Sequence, residues 1–292
     1  MSPTAIVLVV VAAFAHAGWN TSAKRAGAGG SMFVWLYALM SVVLLVPVAV
    51  IDLLVSGQRP QWSWLLALTV SGLLHLAYFV LLQRGYADGD MSVVYPLARG
   101  TGPLLTVVFA VVVLGERPGA VALVGALAVV VGVFVIGGAS GGKDSDLAGT
   151  DRRRIGMIYG VVTGITIAGY TLWDAHAVTT LAVPPLVQLG GSVTIEMLAL
   201  TPIALAKRVE ISALWRDHKW DAGVVAVLSP LAYTLVLYAL RIAPVALVAP
   251  ARELSIVIGG VIAWRVLHEP NPARRLAGAA IVLAGVFALA VG

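Results

Sequence analysis

The sequence predicts an all-α polytopic membrane protein of ten transmembrane helices, built as two inverted five-helix repeats. Three observations lead there. The chain is 60% hydrophobic and 11% charged, with a mean hydropathy of +0.97, whereas a water-soluble domain carries about 25% charged residues. Its apolar residues gather into ten stretches, each near the roughly 20 residues that a bilayer helix needs. The stretches fall into two sets of five on either side of a polar segment. Two copies of an odd-numbered bundle enter the membrane in opposite orientations, an arrangement that places a solute site near the midplane between them.

The first repeat, residues 1–138, holds spans at 3–23, 32–51, 62–83, 91–114 and 118–138. Residues 139–154 form a polar linker, and Lys143–Arg154 reads as a flexible connector of Gly, Ser, Asp and Arg. The second repeat, residues 155–292, holds spans at 155–175, 184–206, 220–241, 245–267 and 273–291. All are read as helices, because only helices and closed barrels satisfy the backbone in lipid, and strand-like alternation is absent. Span one lacks the basic leader and cleavage site of a signal peptide, so it is kept as a helix. Pro96 and Pro103 are expected to break span four, Pro230 span eight and Pro250 span nine, freeing carbonyls and supplying hinges. Gly156, Gly160 and Gly164 recur every fourth residue on span six, a small-residue face for close packing. Gly125, Gly132, Gly278 and Gly285 predict tight packing for spans five and ten, which would buttress the bundle or dimerise it. Trp35, Trp62, Trp64 and Trp220 read as interface anchors.

Charge gives the topology. Fourteen of the 19 Lys and Arg residues fall on one side: Lys24, Arg25, Arg84, Lys143, Arg152, Arg153, Arg154, Lys207, Arg208, Arg216, Lys219, Arg265, Arg274 and Arg275. Only Arg59, Arg117 and Arg241 fall on the other, and two arginines lie inside spans. The positive-inside rule places the basic side in the cytoplasm and both termini outside a bacterial inner membrane. Cysteine is absent, which excludes disulfides and thiolate metal sites. The net charge of +5 sits in loops and is no nucleic-acid signal. HExxH, GxSxG and nucleotide-binding glycine loops are missing, so no enzymatic activity, cofactor or metal is expected.

The copies align by eye. Ala17-Gly18-Trp19-Asn20 matches Ala168-Gly169-Tyr170-Thr171, Leu114-Gly115-Glu116 matches Leu267-His268-Glu269, and Gly132-Val133-Phe134 matches Gly285-Val286-Phe287. Near the fourth span of each copy, either Pro96 pairs with Pro250 or Arg99 with Arg252. The segments His16–Asn20, Asp90–Gly100 with Leu114-Gly115-Glu116, and Ala243–Val248 leading to Arg252-Glu253 resemble the EamA branch of the drug/metabolite transporter superfamily. The resemblance covers essentially the whole chain and is strongest to a subgroup labelled phosphonate-utilisation-associated. It implies ten helices, two five-helix repeats and a central cavity, and it implies no particular substrate.

Ionisable groups inside spans are functional candidates, because each costs at least about 2.5–3.5 kcal/mol to insert. Arg99, Glu196, Arg252 and Glu253 stand well inside. The planar guanidinium fork of Arg99 or Arg252 suits a carboxylate or phosphonate; the competing reading pairs each with Glu253 or Glu196. Neighbours on a helix point about 100° apart, so Arg252 and Glu253 must find partners on other helices. Gln188, Ser192 and Glu196 follow i, i+4, i+8, a polar stripe that faces the interior, and Glu196, with Glu253, is the candidate proton carrier. His16, Trp19, Asn20, His75, Tyr78, Tyr95, Tyr170, Trp173, Asp174 and Tyr233 are the candidate wall of a cavity with aromatic surfaces and sparse polar groups. Glu116 and Glu269 read as helix caps.

Together these features predict a secondary transporter, monomer or homodimer, in a lipid bilayer. Its cargo would be a small polar or zwitterionic organic metabolite, an exported amino-acid-like solute or an imported phosphonate or organic acid, with protons as candidate coupling ion. The alternatives are a multidrug exporter, which the two intramembrane arginines oppose, and a non-transporting accessory protein.

Overall fold

The computed structural model describes residues 1–26, 30–137, 147–267 and 272–292. Eleven helices follow in order: α1 (Pro3–Arg25), α2 (Gly30–Ser56), α3 (Trp62–Asp88), α4 (Met91–Val112), α5 (Ala120–Gly137), α6 (Leu147–Thr179), α7 (Pro185–Ala206), α8 (Arg208–Leu240), α9 (Val245–Ala251), α10 (Leu254–Leu267) and α11 (Pro272–Val291). The described residues contain no strand. Seven of the helices are long and apolar enough to cross a membrane in one piece, and Ala120–Ile136 and Leu276–Val291 are shorter apolar helices. Helices α9 and α10 are the two halves of the ninth span, which completes ten.

The inversion is visible in the packing. Gly125 lies against Gly285 and Gly132 against Gly278, so α5 and α11 cross antiparallel through positions that are equivalent in the two copies. Their approach requires glycine: a Cβ on Gly285 would sit 2.6 Å from the Gly125 carbonyl oxygen, and one on Gly132 2.8 Å from that of Gly278. We expect Gly285→Val to prise α5 from α11 and lower the thermal midpoint by several degrees, read by unfolding of the purified protein. The same two-fold logic pairs α1 with α8 and α3 with α6, and α2 with α7. The glycine face of α6 admits α4, with Gly160 against Leu97 and Gly164 against Thr101. The main buried cluster draws on α1, α4, α5, α8, α9 and α11.

Several expectations are corrected. Helices α4 and α8 run through Pro96, Pro103 and Pro230 without interruption, because in a bundle neighbouring helices and tightened turns absorb one lost backbone bond. The ninth span does break, two residues after Pro250, where amides reach back only three residues: Glu253 to Pro250, Ser255 to Arg252 and Ile256 to Glu253. Trp64 is no interface anchor. It is 4% exposed and its indole N–H donates to the Leu181 carbonyl. Trp35 is half-buried and donates to Thr201 Oγ1 on α7, whereas Trp62 and Trp220 are exposed as anchors are. Of the supposed connector, Leu147–Arg154 is the first part of α6; Lys143, like Glu269, lies outside the described residues. Helix α8 begins at Arg208, twelve residues before the expected span, and bends at His218, whose φ of −131° is non-helical.

Candidate functional site

A cavity of about 140 Å³ lies between the two repeats, walled by α1, α2, α3, α4, α6, α7, α8 and the break after α9. Its aromatic side is a stack. His75 lies on Tyr170 with ring centroids 4.2 Å apart, and Tyr78 and Tyr233 meet Tyr170 edge-on at 5.8 and 6.1 Å. The Nδ1–H of His75 donates to the Ser71 carbonyl at 2.9 Å, which leaves Nε2 as the acceptor of the neutral ring. On the opposite wall His16 meets Trp19 edge-on at 4.8 Å.

The two arginines have different surroundings. Arg99 is 8% exposed; its Nε is 3.1 Å from Glu253 Oε2 and its Nη2 donates to Ser255 Oγ at 3.2 Å. The Nε–Oε2 approach is too oblique to be a hydrogen bond, so both Glu253 oxygens lack a donor and the attraction is ionic. Arg252 has no carboxylate partner among the described residues. Its Nη2 donates weakly to Tyr170 Oη at 3.4 Å, its guanidinium lies 6.0 and 5.9 Å from the Tyr170 and Tyr233 rings, and its buried Nη1 makes no hydrogen bond. Aromatic faces stabilise such a cation by about 2 kcal/mol when it is desolvated, yet they leave its donors unfilled. Glu196 also lines the cavity, is 9% exposed and makes no hydrogen bond or ion pair among the described residues. Among the described residues, one cation without a carboxylate and one carboxyl group without a partner thus share a partly enclosed aromatic chamber.

Behind the wall, Asp174 joins three helices. It is fully buried and accepts from Tyr233 Oη at 2.6 Å and from Gln188 Nε2 at 2.9 Å. This fixes Tyr233 under Arg252. Glu116, on the loop between α4 and α5, accepts from the backbone amides of Val245 and Ala246 at 3.0 and 2.9 Å. It caps the N-terminus of the half-helix that carries Arg252.

Of the residues named from sequence, His16, Trp19, His75, Tyr78, Arg99, Tyr170, Glu196, Tyr233 and Arg252 reach the cavity, as does Pro230. Five do not. Tyr95 is 36% exposed on the outer side of α4. Trp173 turns to α3 and donates to the Ala67 carbonyl. Asn20 is half-buried on α1, outside the wall, and Asp174 and Glu253 stand behind it. Sequence reasoning missed Tyr37, Ser41, Phe79 and Ser229, which complete the wall. Tyr37 and Ser41 are spaced i, i+4 on an otherwise apolar α2, a signal of the same kind as the Glu196 stripe.

A solved structure described only as "Crystal structure of protein" superposes with a TM-score of 0.71 over 98% of both chains at 15% identity, a likeness of fold. No curated protein matches the chain. The EamA-like transporter family matches twice, over residues 3–138 and 154–291, so the chain is a multi-pass membrane protein that belongs to that family of transporters.

Proposed function

We propose that the protein is a secondary transporter of a small polar or zwitterionic metabolite, working by alternating access between its two repeats in a bacterial inner membrane. The observation that carries this reading is the Arg252 guanidinium, without a carboxylate among the described residues, at a partly enclosed cavity. A carboxylate or phosphonate would supply the acceptor that Nη1 lacks and a stronger one than Tyr170 for Nη2, and the tyrosine rings would hold the solute's carbon skeleton. The chamber is smaller than the roughly 300–1,000 Å³ of drug-sized sites, which favours a solute of amino-acid size over bulky cations. Arg99, already neutralised by Glu253, holds the broken ninth span against α4 and is the structural member of the pair.

A ligand-induced thermal-shift screen tests this, with amino acids, phosphonates, organic acids and lipophilic cations as probes. A ligand at a hundredfold excess over Kd stabilises by about 2.7 kcal/mol. We expect an anionic or zwitterionic hit that disappears in Arg252→Ala while the variant still unfolds cooperatively. Hits confined to lipophilic cations would replace this reading with drug export centred on Glu196.

Glu196 is the proposed proton carrier, because a carboxyl group with no partner among the described residues can gain and lose a proton without breaking a described contact. In proteoliposomes loaded with the hit, Glu196→Gln should abolish the dependence of counterflow on an imposed pH gradient while leaving binding within a few-fold of the parent. Parent flux that ignores the gradient would remove protons from the mechanism.

A further inference from the structure

A second, larger recess lies outside the transport cavity. It is an open groove of about 710 Å³ between α2 and the first part of α8, almost wholly apolar along its length. Its α2 wall is two ridges, Trp35–Leu39–Val43 and Leu36–Met40–Leu44, and its α8 wall is Ile211, Ser212, Trp215 and Arg216. The groove lies before the bend at His218; beyond the bend α8 packs on α2, where Ser41 Oγ donates to the Ala226 carbonyl.

The charges on this segment are sorted by face. Counting 100° per residue up to the bend, Arg208, Ser212 and Arg216 fall on the groove side with Trp215 among them, whereas Glu210 and Asp217 fall on the opposite side. The acids are also partly occupied: Glu210 pairs with Lys207 at 3.1 Å and Asp221 with His218 at 3.3 Å. No described side chain pairs with Arg216, and Trp215 is 47% exposed. The groove therefore has an apolar floor running along a membrane helix and one basic, indole-bearing end. An occupant must be an amphiphile with a hydrocarbon tail and an anionic head.

We propose that this groove is a binding site for an anionic glycerophospholipid, with an acyl chain along the α2 ridges and the phosphate at Ser212 and Arg216. Basic recesses between membrane helices recognise such head groups, which carry the negative surface potential of the cytoplasmic leaflet, and tryptophan settles at the head-group level. The site is also placed to matter, since Tyr37 and Ser41 of the same α2 helix line the transport cavity from its other side.

The test uses the full chain in phosphatidylcholine vesicles doped with a few mole per cent of phospholipid brominated on its acyl chains, which quenches nearby indole fluorescence. The Trp215 signal is the difference between the parent and Trp215→Phe. Brominated phosphatidylglycerol should quench that signal several-fold more than the same fraction of brominated phosphatidylcholine. Arg216→Gln should erase the preference and Arg216→Lys should keep most of it; Arg216 is exposed, so both variants will fold. Equal quenching by the two lipids, or a preference that survives Arg216→Gln, would overturn the site. So would absent quenching together with cross-links between Trp215 faces, which would make the occupant a second copy of the chain. No transport assay enters, so the outcome is independent of the function proposed above.

Discussion

Replacing Glu253 with alanine is expected to cost about 3–5 kcal/mol of stability, the usual result of stranding one member of a buried ion pair. Both side chains are shielded, at 9% and 1% exposure, and no other carboxylate among the described residues contacts Arg99. Arg99→Ala should cost a similar amount, because it strands Glu253. Replacing both, as Arg99→Met with Glu253→Leu, should recover most of the loss, since apolar groups of similar volume often substitute for a buried pair with little change. Thermal or denaturant unfolding of the parent, Arg99→Met, Glu253→Leu and the double variant forms a double-mutant cycle whose coupling term reads the pair directly. Arg252→Ala is the contrast: with no carboxylate to strand, its unfolding midpoint should stay close to that of the parent. A coupling term near zero, or an Arg252 variant as damaged as the Glu253 one, would show that the roles of the arginines are reversed.

The second large effect belongs to Glu116. Its carboxylate caps α9 through two successive amides, and Gly115, at φ +70°, turns the loop in a conformation that other residues adopt at a cost. Glu116→Ala removes both acceptors and the favourable charge at the helix N-terminus, and is expected to cost about 2 kcal/mol, the upper end for a cap. Glu116→Gln keeps one acceptor and should lose about half of that. Because α9 has only seven residues and Arg252 follows directly as its C-cap, the loss should also reach the cavity. The apparent affinity for an anionic hit should fall in the order Glu, Gln, Ala. Full affinity in Glu116→Ala would confine the residue to stability.

What could be read from the sequence was whatever depends on period and spacing. The two copies, the glycine faces and the stripe ending at Glu196 follow from residues three, four or eight apart, and helical geometry converts such spacings into faces without tertiary knowledge. The divergence of Arg252 and Glu253 was legible for the same reason. Their fates were not. That Glu253 meets Arg99 and Arg252 meets two tyrosines depends on helices far apart in the chain. Three of the prolines misled because their effect is set by neighbours: the bundle tolerates Pro96, Pro103 and Pro230 inside helices that continue through them, while the ninth span does break after Pro250. Trp64 looked like an anchor from its place near a helix end, and only the fold shows the Leu181 carbonyl that draws it inward. The start of α8 escaped notice because its charges read as loop; counted by helical face, those before the bend separate into a basic and an acidic side.

The pairing of helices across the copies bears on how the chain is made. The most extensive contacts, α5 with α11, α4 with α6 and α1 with α8, all join one copy to the other, so neither half owns a complete interior. Arg99 leaves the ribosome about 150 residues before Glu253, a delay on the order of ten seconds at cellular elongation rates. For that interval a cation is threaded into the membrane without its counter-charge. The first five helices must therefore wait as a loose, insertion-competent intermediate, and the birth of the ninth span is the event that lets the bundle close.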